Sequence, residues 1–424
     1  MKKIPELLLP AGDLEKMRFA LAFGADAVYL GMPRYSLRAR ENGFRDLAQV
    51  SEAVDYVHQL GRKIYLTANI FAHNSKVALF VDHVKEVLSL CRPDAWILSD
   101  PGLILLMRTH FPSEVIHLSV QSNVLNAAAA KFWQDTGVQR IILSREISIA
   151  EMKQIHAAVP DLELESFVHG AVCMAYSGRC LISSYLAHRD SNQGVCTNSC
   201  RWEYKVQKTR QGDDYVPLKD EFYIEESERK GIHFPIDEDE NGTYLMNAKD
   251  LCAIKCLEEL LAAGISSFKI EGRSKTLYYA AMTARAYRQA IDNMMQGLPF
   301  NPDHMNDIMA TSTRGFHEGF LHGNPGAEGQ EYDNSNSGNA RYRFSGIVRG
   351  YDQDKKLLKV EPRNPLKTGG TYELCLPDRT VFFDVKELFN EKFRPVSEIH
   401  GGLHFCWIPY PDNPGTFALL REKL

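Results

Sequence analysis

Four of the nine cysteines in this chain lie close together in the sequence, with the spacing Cys173-x6-Cys180-x15-Cys196-x3-Cys200. Thiolates grouped in this way are soft ligands, which suit zinc or an iron–sulphur cluster. Structural zinc sites usually pair cysteines two to four residues apart, and only Cys196 and Cys200 have that spacing. The longer first gap therefore favours a cluster. Glu203 stands where a radical SAM motif would need a third cysteine, so that chemistry is excluded.

The spacing alone leaves two other interpretations open, a zinc site and four thiols that are simply buried. The remaining cysteines indicate packing. Cys252 and Cys256 lie one turn apart in a predicted helix, and Cys91, Cys375 and Cys406 are isolated in the sequence. We therefore predict one metal centre, held by the four grouped cysteines.

Composition and charge limit where the protein works and what it binds. The 424 residues are 44% hydrophobic and 24% charged, with a formal net charge of −5, so any nucleic acid must be bound by a local basic patch. Glu6, Asp13 and Glu15 interrupt the apolar start, which reads as a strand rather than a signal peptide. No run approaches the ~20 apolar residues of a membrane span. We predict a cytoplasmic protein with no membrane partner, in which thiols stay reduced.

The sequence before residue 170 alternates short β-rich runs with helix-length amphipathic segments, a pattern typical of α/β proteins with parallel strands. The predicted strands are Glu6–Leu9, Ala27–Leu30, Lys63–Ala68, Ala95–Ser99, Val115–Val120, Gln139–Leu143 and Leu162–Val168. The predicted helices include Asp13–Phe23, Leu47–Leu60, Val77–Leu90 and Ile149–Ala158.

An eighth strand, Ser267–Ile270, follows a predicted helix at Ala248–Ala263. Eight strand–helix units predict a (β/α)8 TIM-like barrel with a cysteine-bearing insertion at 171–243. A doubly wound open sheet is the alternative, but no G-x-G-x-x-G follows the first strand.

The sequence divides into three predicted parts: a catalytic barrel domain at 1–322, a linker at 323–340 and a small all-β, barrel-like domain at 341–424. The tail alternates apolar and polar residues at the period of a strand. Its predicted strands are Tyr342–Val348, Lys356–Glu361, Gly370–Leu376 and Val381–Val385.

Polar residues follow the barrel strands, where the carboxyl ends of parallel strands form the reactive face. Those after strands three, five, six, seven and eight are Asn69, His73, Gln121, Asn123, Arg145, His169, Glu271 and Arg273. His169, Glu271 and Arg273 are the candidate catalytic residues, although each alone is more often structural. Arg145 and Arg273 suit a small dicarboxylate, because a guanidinium matches a carboxylate with two hydrogen bonds. Candidate substrate contacts are Asn69, His73, Gln121, Arg145 and Arg201.

Two segments are candidates for binding RNA. Residues 201–210, with the sequence Arg-Trp-Glu-Tyr-Lys-Val-Gln-Lys-Thr-Arg, interleave cations with aromatic rings, a mixture that contacts phosphates and stacks bases. An amphipathic strand with a solvated face is an equal alternative. The second candidate is the tail, with the cations Arg341, Arg343, Arg349, Lys355 and Lys356.

Peptidase chemistry is the main alternative, and its motifs are weak here. A zinc peptidase needs His-Glu-x-x-His on one helix face, whereas in the nearest string, His317 to His322, the second histidine comes one residue late. No G-x-S-x-G elbow is present. A cysteine peptidase could pair His169 with Cys173, but a cluster accounts for more of the cysteines. A non-catalytic RNA-binding module stabilised by metal is a third possibility.

The segment Glu165-Ser-Phe-Val-His-Gly-Ala-Val-Cys-Met-Ala-Tyr-Ser-Gly-Arg-Cys-Leu-Ile-Ser183 resembles the signature of the collagenase-like peptidases of family U32 at every fixed position. The opening Leu-Pro-Ala-Gly and the segments 24–31, 69–73 and 269–273 are also similar to that family. The resemblance spans residues 1–300 at least.

This resemblance implies a TIM-like barrel and, for several members, hydroxylation rather than proteolysis. Such members act on rRNA cytidine, on a quinone precursor or on tRNA wobble uridine, and in the quinone pair cysteines of this region bind a 4Fe–4S cluster. The chain is most similar to the members that make 5-hydroxyuridine in tRNA with prephenate in place of dioxygen. The expected cofactor is a 4Fe–4S cluster, and the expected partners are tRNA, prephenate and a ferredoxin-type electron donor. Collagenase-like peptidase activity is the first alternative, and hydroxylation of another substrate, rRNA or a quinone precursor, is the second.

Overall fold

The computed structural model describes residues 3–37, 43–173, 175–177, 179–187, 189, 196–197, 207–209, 215–217, 222–225, 233–239, 242–244, 248–311, 315–329, 341–402 and 405–424. Within 185–187, 207–244 and 326–327 only the backbone is described. Cys200 and Arg201, predicted as a metal ligand and a substrate contact, lie outside these residues.

Strands and helices alternate through the first part of the chain, as predicted. Their bounds are β1 Glu6–Pro10, α1 Leu14–Ala22, β2 Ala27–Gly31, α2 Leu47–Gln59, β3 Lys63–Ala68, α3 Asn74–Leu90, β4 Ala95–Leu98, α4 Pro101–His110, β5 Ile116–Leu118, α5 Ala127–Asp135, β6 Arg140–Ile142, α6 Ile149–Ala158 and β7 Glu163–Gly170. Each of these strands pairs in parallel with the next.

The chain after β7 closes the sheet. It contains α7 Ile182–Ala187, β8 Gln207–Thr209, β9 Tyr215–Pro217, β10 Phe222–Glu225, β11 His233–Asp239, β12 Gly242–Tyr244, β13 Asp250–Cys252, α8 Leu257–Ala262 and β14 Ile265–Ile270. Strand β14 pairs in parallel with both β1 and β7, so eight parallel strands form a closed barrel. The predicted TIM-like fold is confirmed, with the insertion between its seventh and eighth strands.

The predicted helix at Ala248–Ala263 is wrong in its first half. Residues Asp250–Cys252 form β13, which pairs antiparallel with the end of β7 and parallel with β15 Phe316–His317. Only Leu257–Ala262 is helical. Backbone hydrogen bonds to strands distant in sequence replace the helix, and a local pattern cannot reveal those partners.

Local capping explains why the helix boundaries were predictable. Side-chain oxygens of four residues accept the N–H of the third helical position, a standard N-cap contact, and these residues are Asp46, Asp100, Asn126 and Ser148. Glu151 completes a capping box with Ser148. Gly24, Gly61 and Gly137, each two residues after the end of a helix, have φ values of 117°, 66° and 85°, a region that favours glycine.

The barrel interior combines apolar packing with buried charge. Its apolar cluster consists of Leu8, Ala27, Tyr29, Tyr65, Ala95, Ile97, Val120, Ile142, Phe167 and Leu251. Arg140 contacts Glu6 at 2.6 Å and Glu165 at 3.2 Å, and Lys269 contacts Glu165 at 2.6 Å. Glu6 and Arg140 lie at the starts of β1 and β6, whereas Lys269 is the fifth of the six residues of β14, so the network extends from the strand starts toward the carboxyl end of the barrel.

The chain forms two compact units that are each discontinuous in sequence. The first comprises the described residues within 1–14, 26–274 and 313–338, and the second those within 15–25, 275–312 and 339–424. The predicted domain boundaries, by contrast, run continuously along the sequence.

The second unit joins helices to an antiparallel sheet. Its later elements are α9 Leu277–Met295, α10 His304–Met309, β16 Tyr342–Asp352, β17 Leu357–Pro362, β18 Leu366–Lys367, β19 Thr371–Cys375, β20 Thr380–Asp384, β21 Glu398–Ile399, β22 Cys406–Pro409 and β23 Leu419–Lys423. Six of these strands form one sheet in the order β20-β19-β23-β16-β17-β22, which confirms the predicted all-β tail.

Of the helices that the structure describes, none has both the length and the apolar composition that a membrane crossing requires.

Candidate active site at the barrel mouth

Arg145 lies over the apolar core at the carboxyl end of the barrel. Its guanidinium carbon is 3.8 Å from the centre of the Phe167 ring, and its Nη2 is 3.5 Å from Glu271 Oε2. The side chains of Arg145 and Glu271 are 11% and 19% exposed. A cation held over an aromatic face beside one carboxylate is poorly hydrated, and a second, substrate carboxylate would bind it strongly.

Arg273, predicted to bind the same dicarboxylate, contacts a neighbouring loop instead. Its Nη1 donates to Ser36 Oγ at 2.7 Å and to Thr67 Oγ1 at 3.1 Å, and its Nη2 donates to the Leu37 carbonyl. A Cβ on Gly31 would lie 2.9 Å from Arg273 Nη1. These contacts favour a positioning role for Arg273 and leave Arg145 as the better carboxylate ligand.

His169 and Gly170 bring the end of β7 against the end of β14. His169 is 1% exposed, and its ring centre is 5.3 Å from that of Phe316. The Glu271 N–H donates to the His169 carbonyl at 2.8 Å. Gly170 has φ +108°, and a Cβ there would lie 2.6 Å from the Glu271 carbonyl oxygen. His169 and Gly170 therefore allow the ends of β7 and β14 to contact each other. The cysteine loop begins immediately after Gly170 in the sequence.

The remaining predicted substrate contacts differ in burial. Asn69 Oδ1 accepts the Leu37 N–H at 3.1 Å, while His73 is exposed and precedes α3. Gln121 Oε1 is buried and has no hydrogen-bond partner among the described residues. A buried acceptor without a donor is costly, so Gln121 suits a bound molecule that supplies an N–H or O–H.

The cysteine loop is tied to the barrel through Asn123. The Asn123 Nδ2 donates to the Ser177 carbonyl at 3.0 Å, and Arg179 Nε donates to Asn123 Oδ1 at 3.1 Å. Asn123 adopts a left-handed backbone conformation with φ +50°, which asparagine tolerates. Val172 packs against the barrel core. Ser177 and Arg179 are therefore held at the carboxyl ends of the barrel strands.

A second tie joins the two halves of the cysteine loop. Ser183 Oγ accepts the Thr197 N–H at 3.0 Å and lies 2.8 Å from Thr197 Oγ1. Thr197 follows Cys196, and Ser183 comes three residues after Cys180. Cys173 and Cys196 are exposed and Cys180 is half-buried. Three thiols on two joined segments are a donor set that fits an iron–sulphur cluster.

Cys252 lies in the same region and was missed by sequence reasoning. It stands opposite His169 in the pairing of β13 with β7, and His169 precedes Cys173 by four residues. The wrong prediction of a helix at Ala248–Ala263 is the reason, because in a helix Cys252 would pack on the same face as Cys256. The hydroxyls of Ser36, in the loop after β2, and Thr67, on β3, are 2.7 Å apart and were also missed.

The cations of the C-terminal tail are partly paired within the protein. Arg349 contacts Glu15 and Glu361, and Arg343 contacts Glu422. Paired cations contribute less to phosphate binding than free ones. The tail is therefore a weaker candidate RNA surface than its composition suggests.

The closed parallel barrel places this chain among the TIM-barrel proteins, and its thiol-bearing loop lies at the carboxyl ends of the strands. Residues 12–331 match peptidase family U32, and residues 340–421 match the C-terminal domain of that family. The chain belongs to peptidase family U32.

Its relatives include proteins named for hydroxylation of RNA. It is 44% identical to the tRNA hydroxylation protein P of Escherichia coli, over 99% of this chain and 97% of that protein. It is 43% identical to the protein of the same name from Haemophilus influenzae, over 99% and 96%. A 23S rRNA 5-hydroxycytidine synthase of Escherichia coli is 33% identical over 69% of this chain and 40% of its own length.

Proposed function

We propose that this protein is a tRNA-modifying hydroxylase. The observation that carries the proposal is the similarity, over nearly the whole of both chains, to proteins named for tRNA hydroxylation. The barrel mouth supports it, because Arg145, Glu271 and the thiol-bearing loop meet at the face where barrel enzymes react.

The substrate that we propose is the wobble uridine of tRNA, converted to 5-hydroxyuridine. An anticodon-loop base is already unpaired and costs little to extract into a barrel mouth. Gln121 offers an acceptor for an N–H of that base. Prephenate, the proposed co-substrate in place of dioxygen, would place a carboxylate on Arg145.

We propose Cys173, Cys180, Cys196 and Cys200 as ligands of a 4Fe–4S cluster. Such a cluster supplies one-electron transfer when bound, and a ferredoxin-type donor would then be its partner. Anaerobic purification followed by iron and sulphide analysis tests this assignment. Protein that contains neither iron nor sulphide would contradict it.

Nucleoside mass spectrometry of tRNA tests the activity. A deletion strain should lack 5-hydroxyuridine, and the wild-type gene should restore it. Arg145→Met should restore at least about tenfold less, because a charge-assisted contact contributes roughly 1.5–3 kcal/mol. Arg62→Met, at a half-exposed residue paired with Asp26, is the control and should restore the full level.

Two other outcomes are informative. Loss of 5-hydroxycytidine from rRNA, with unchanged tRNA, would favour the activity of the rRNA relative. Unchanged nucleosides in both RNAs would contradict hydroxylation and leave the peptidase activity for which the family is named.

A further inference from the structure

A second group of metal-ligand side chains lies outside the four-cysteine loop. The Sγ of Cys256, a carboxylate oxygen of Glu318 and a ring nitrogen of His322 all lie within 4.8 Å of one another. Cys256 Sγ is 3.7 Å from His322 Nε2, and Glu318 Oε2 is 3.6 Å from the same nitrogen. Glu318 and His322 belong to the string that sequence reasoning dismissed as a failed zinc motif.

The fold holds these three residues in place from both sides. Cys256 immediately precedes α8, and its N–H donates to the Ala253 carbonyl at 2.9 Å. Strand β15, which leads into Glu318, pairs with β13. The Ile149 N–H donates to the Leu321 carbonyl at 3.0 Å, so the residue before His322 is anchored as well.

The separations match those between ligands of one tetrahedral ion. Zinc bonds of ~2.3 Å to sulphur and ~2.0 Å to nitrogen or oxygen place neighbouring ligand atoms roughly 3.3–3.6 Å apart. The observed distances of 3.7 and 3.6 Å exceed this range by no more than a few tenths of an ångström. Sulphur, imidazole and carboxylate together are a donor set that zinc accepts.

A nucleophilic cysteine triad does not fit the same geometry. In a triad the histidine contacts the nucleophile through one ring nitrogen and the carboxylate through the other. Here Cys256 and Glu318 both face Nε2 of His322. Burial, followed by the nearby Glu318 carboxylate, raises the pKa of the Cys256 thiol to about 12, which is the opposite of what a nucleophile needs.

We propose that Cys256, Glu318 and His322 bind one Zn²⁺ ion that is separate from the metal centre of the four-cysteine loop. The thiol side of the site is buried, with Cys256 2% exposed. The other side is open, with His322 and Glu318 side chains 49% and 40% exposed. Solvent can therefore deliver the ion and occupy the fourth position. The ion would join β13 and α8 to the turn after β15, a structural role that does not depend on the proposed hydroxylation.

The test measures zinc bound to the full-length protein after chelation and anaerobic reconstitution with Zn²⁺. His322→Gln and Glu318→Gln change exposed side chains, so both variants should fold. Each should bind one equivalent of zinc less than the wild type, or bind that equivalent at least about 100-fold more weakly. Cys256→Ser should behave in the same way. His317→Ala is the matched control, because His317 Nδ1 already accepts the Gly319 N–H at 3.0 Å, and it should keep the full equivalent.

One further readout separates this site from the four-cysteine loop. Cys196→Ser should still bind zinc at the second site, and adding His322→Gln to Cys196→Ser should remove that equivalent. Equal zinc content in wild type, His322→Gln and Cys256→Ser would overturn the proposal and leave an ordinary ion pair.

Discussion

Gly170 is the residue at which the barrel and the cysteine loop meet. Its positive φ and the 2.6 Å approach to the Glu271 carbonyl leave no room for a side chain. Arg273 depends on a similar constraint, because Gly31 leaves space for its guanidinium against Ser36. Gly31 and Gly170 therefore contribute to the mouth by leaving space for neighbouring groups rather than by contacting a substrate.

Gly170→Ala should therefore cost both stability and activity. We expect a loss of about 2–4 kcal/mol in the free energy of unfolding, from the strained backbone together with the clash, and a lower 5-hydroxyuridine level in complemented cells. Gly61→Ala is the control. Gly61 also has a positive φ but no described atom within 4 Å of its added Cβ, so Gly61→Ala should cost only the backbone strain of about 1–2 kcal/mol. Equal losses in the two variants would contradict the steric argument.

A buried charge network extends from the strand starts of the barrel to Lys269, next to the carboxyl end of β14. Arg140 at the start of β6 is 5% exposed and contacts Glu6 and Glu165, and Lys269 on β14 contacts Glu165 as well. Burial alone would raise the pKa of Glu6, but the charge and hydrogen bond of Arg140, together with hydrogen bonds from Tyr65 and Ser267, lower the pKa below its ordinary value. The network orders several strands through charge, whereas the apolar residues order them only through shape.

Removing Arg140 should leave the Glu6 carboxylate without its cation and the Glu165 carboxylate with Lys269 alone. We expect Arg140→Met to lower the free energy of unfolding by about 3–5 kcal/mol in urea titrations, because an unpaired buried charge is expensive. Arg62→Met removes the more exposed pair with Asp26 and should cost at most about 1 kcal/mol. A loss for Arg140→Met as small as that control would show that the network contributes little.

His117, in the middle of β5, should make the barrel sensitive to acid. Burial, followed by Arg140, Lys269 and Lys63, holds the pKa of His117 well below its ordinary value of 6.5. The unfolded chain therefore takes up a proton below about pH 6.5 that the folded chain does not, so stability falls as the pH falls. The slope is at most about 1.4 kcal/mol per pH unit for one group.

His117→Gln should flatten that dependence. Between pH 6.5 and about 4.5, the variant should lose less stability than the wild type in urea titrations at each pH, since a glutamine takes up no proton. Identical slopes for the two proteins would place the acid sensitivity elsewhere, for example at His304, whose pKa burial also lowers.

The second compact unit is held together by another buried charge cluster. Arg285 on α9 contacts Asp307 on α10 at 2.7 Å, and Arg421 on β23 contacts the same carboxylate at 2.9 Å. Arg421 also contacts Glu373 on β19 at 2.6 Å. Two helices that precede the tail in sequence are thereby joined to its sheet, so the tail is not an independent appendage.

Asp307→Asn should unfold that unit more readily than the rest of the chain. Both arginines would lose a carboxylate in a buried position, and we expect a cost of about 3–5 kcal/mol. Hydrogen exchange should accelerate in β19 and β23 and stay unchanged in the barrel strands β2 and β3. Asp303→Asn is the control, since Asp303 is exposed and makes no side-chain cap contact. Uniform acceleration throughout the chain would argue against a separate cooperative unit.

Much of the architecture was determined by the sequence itself. The eight barrel strands, the position of the insertion and the all-β tail followed from local periodicity and turn residues, because parallel strands buried on both faces need continuous apolar runs. The position of Ser148 and the glycine stops likewise depend on nearby backbone groups. Local sequence patterns were sufficient to predict a structural feature wherever the interacting groups lie within a few residues of each other.

Only the tertiary structure decided which residues meet. The contact of Arg273 with Ser36, the strand that replaced a helix at Cys252, and the convergence of Cys256 with His322 all join segments distant in sequence. Residue type predicted the chemistry that each side chain can do, such as thiolate ligation or carboxylate binding. Partner, distance and burial decide which of those chemistries is available, and they exist only once the chain has closed its barrel.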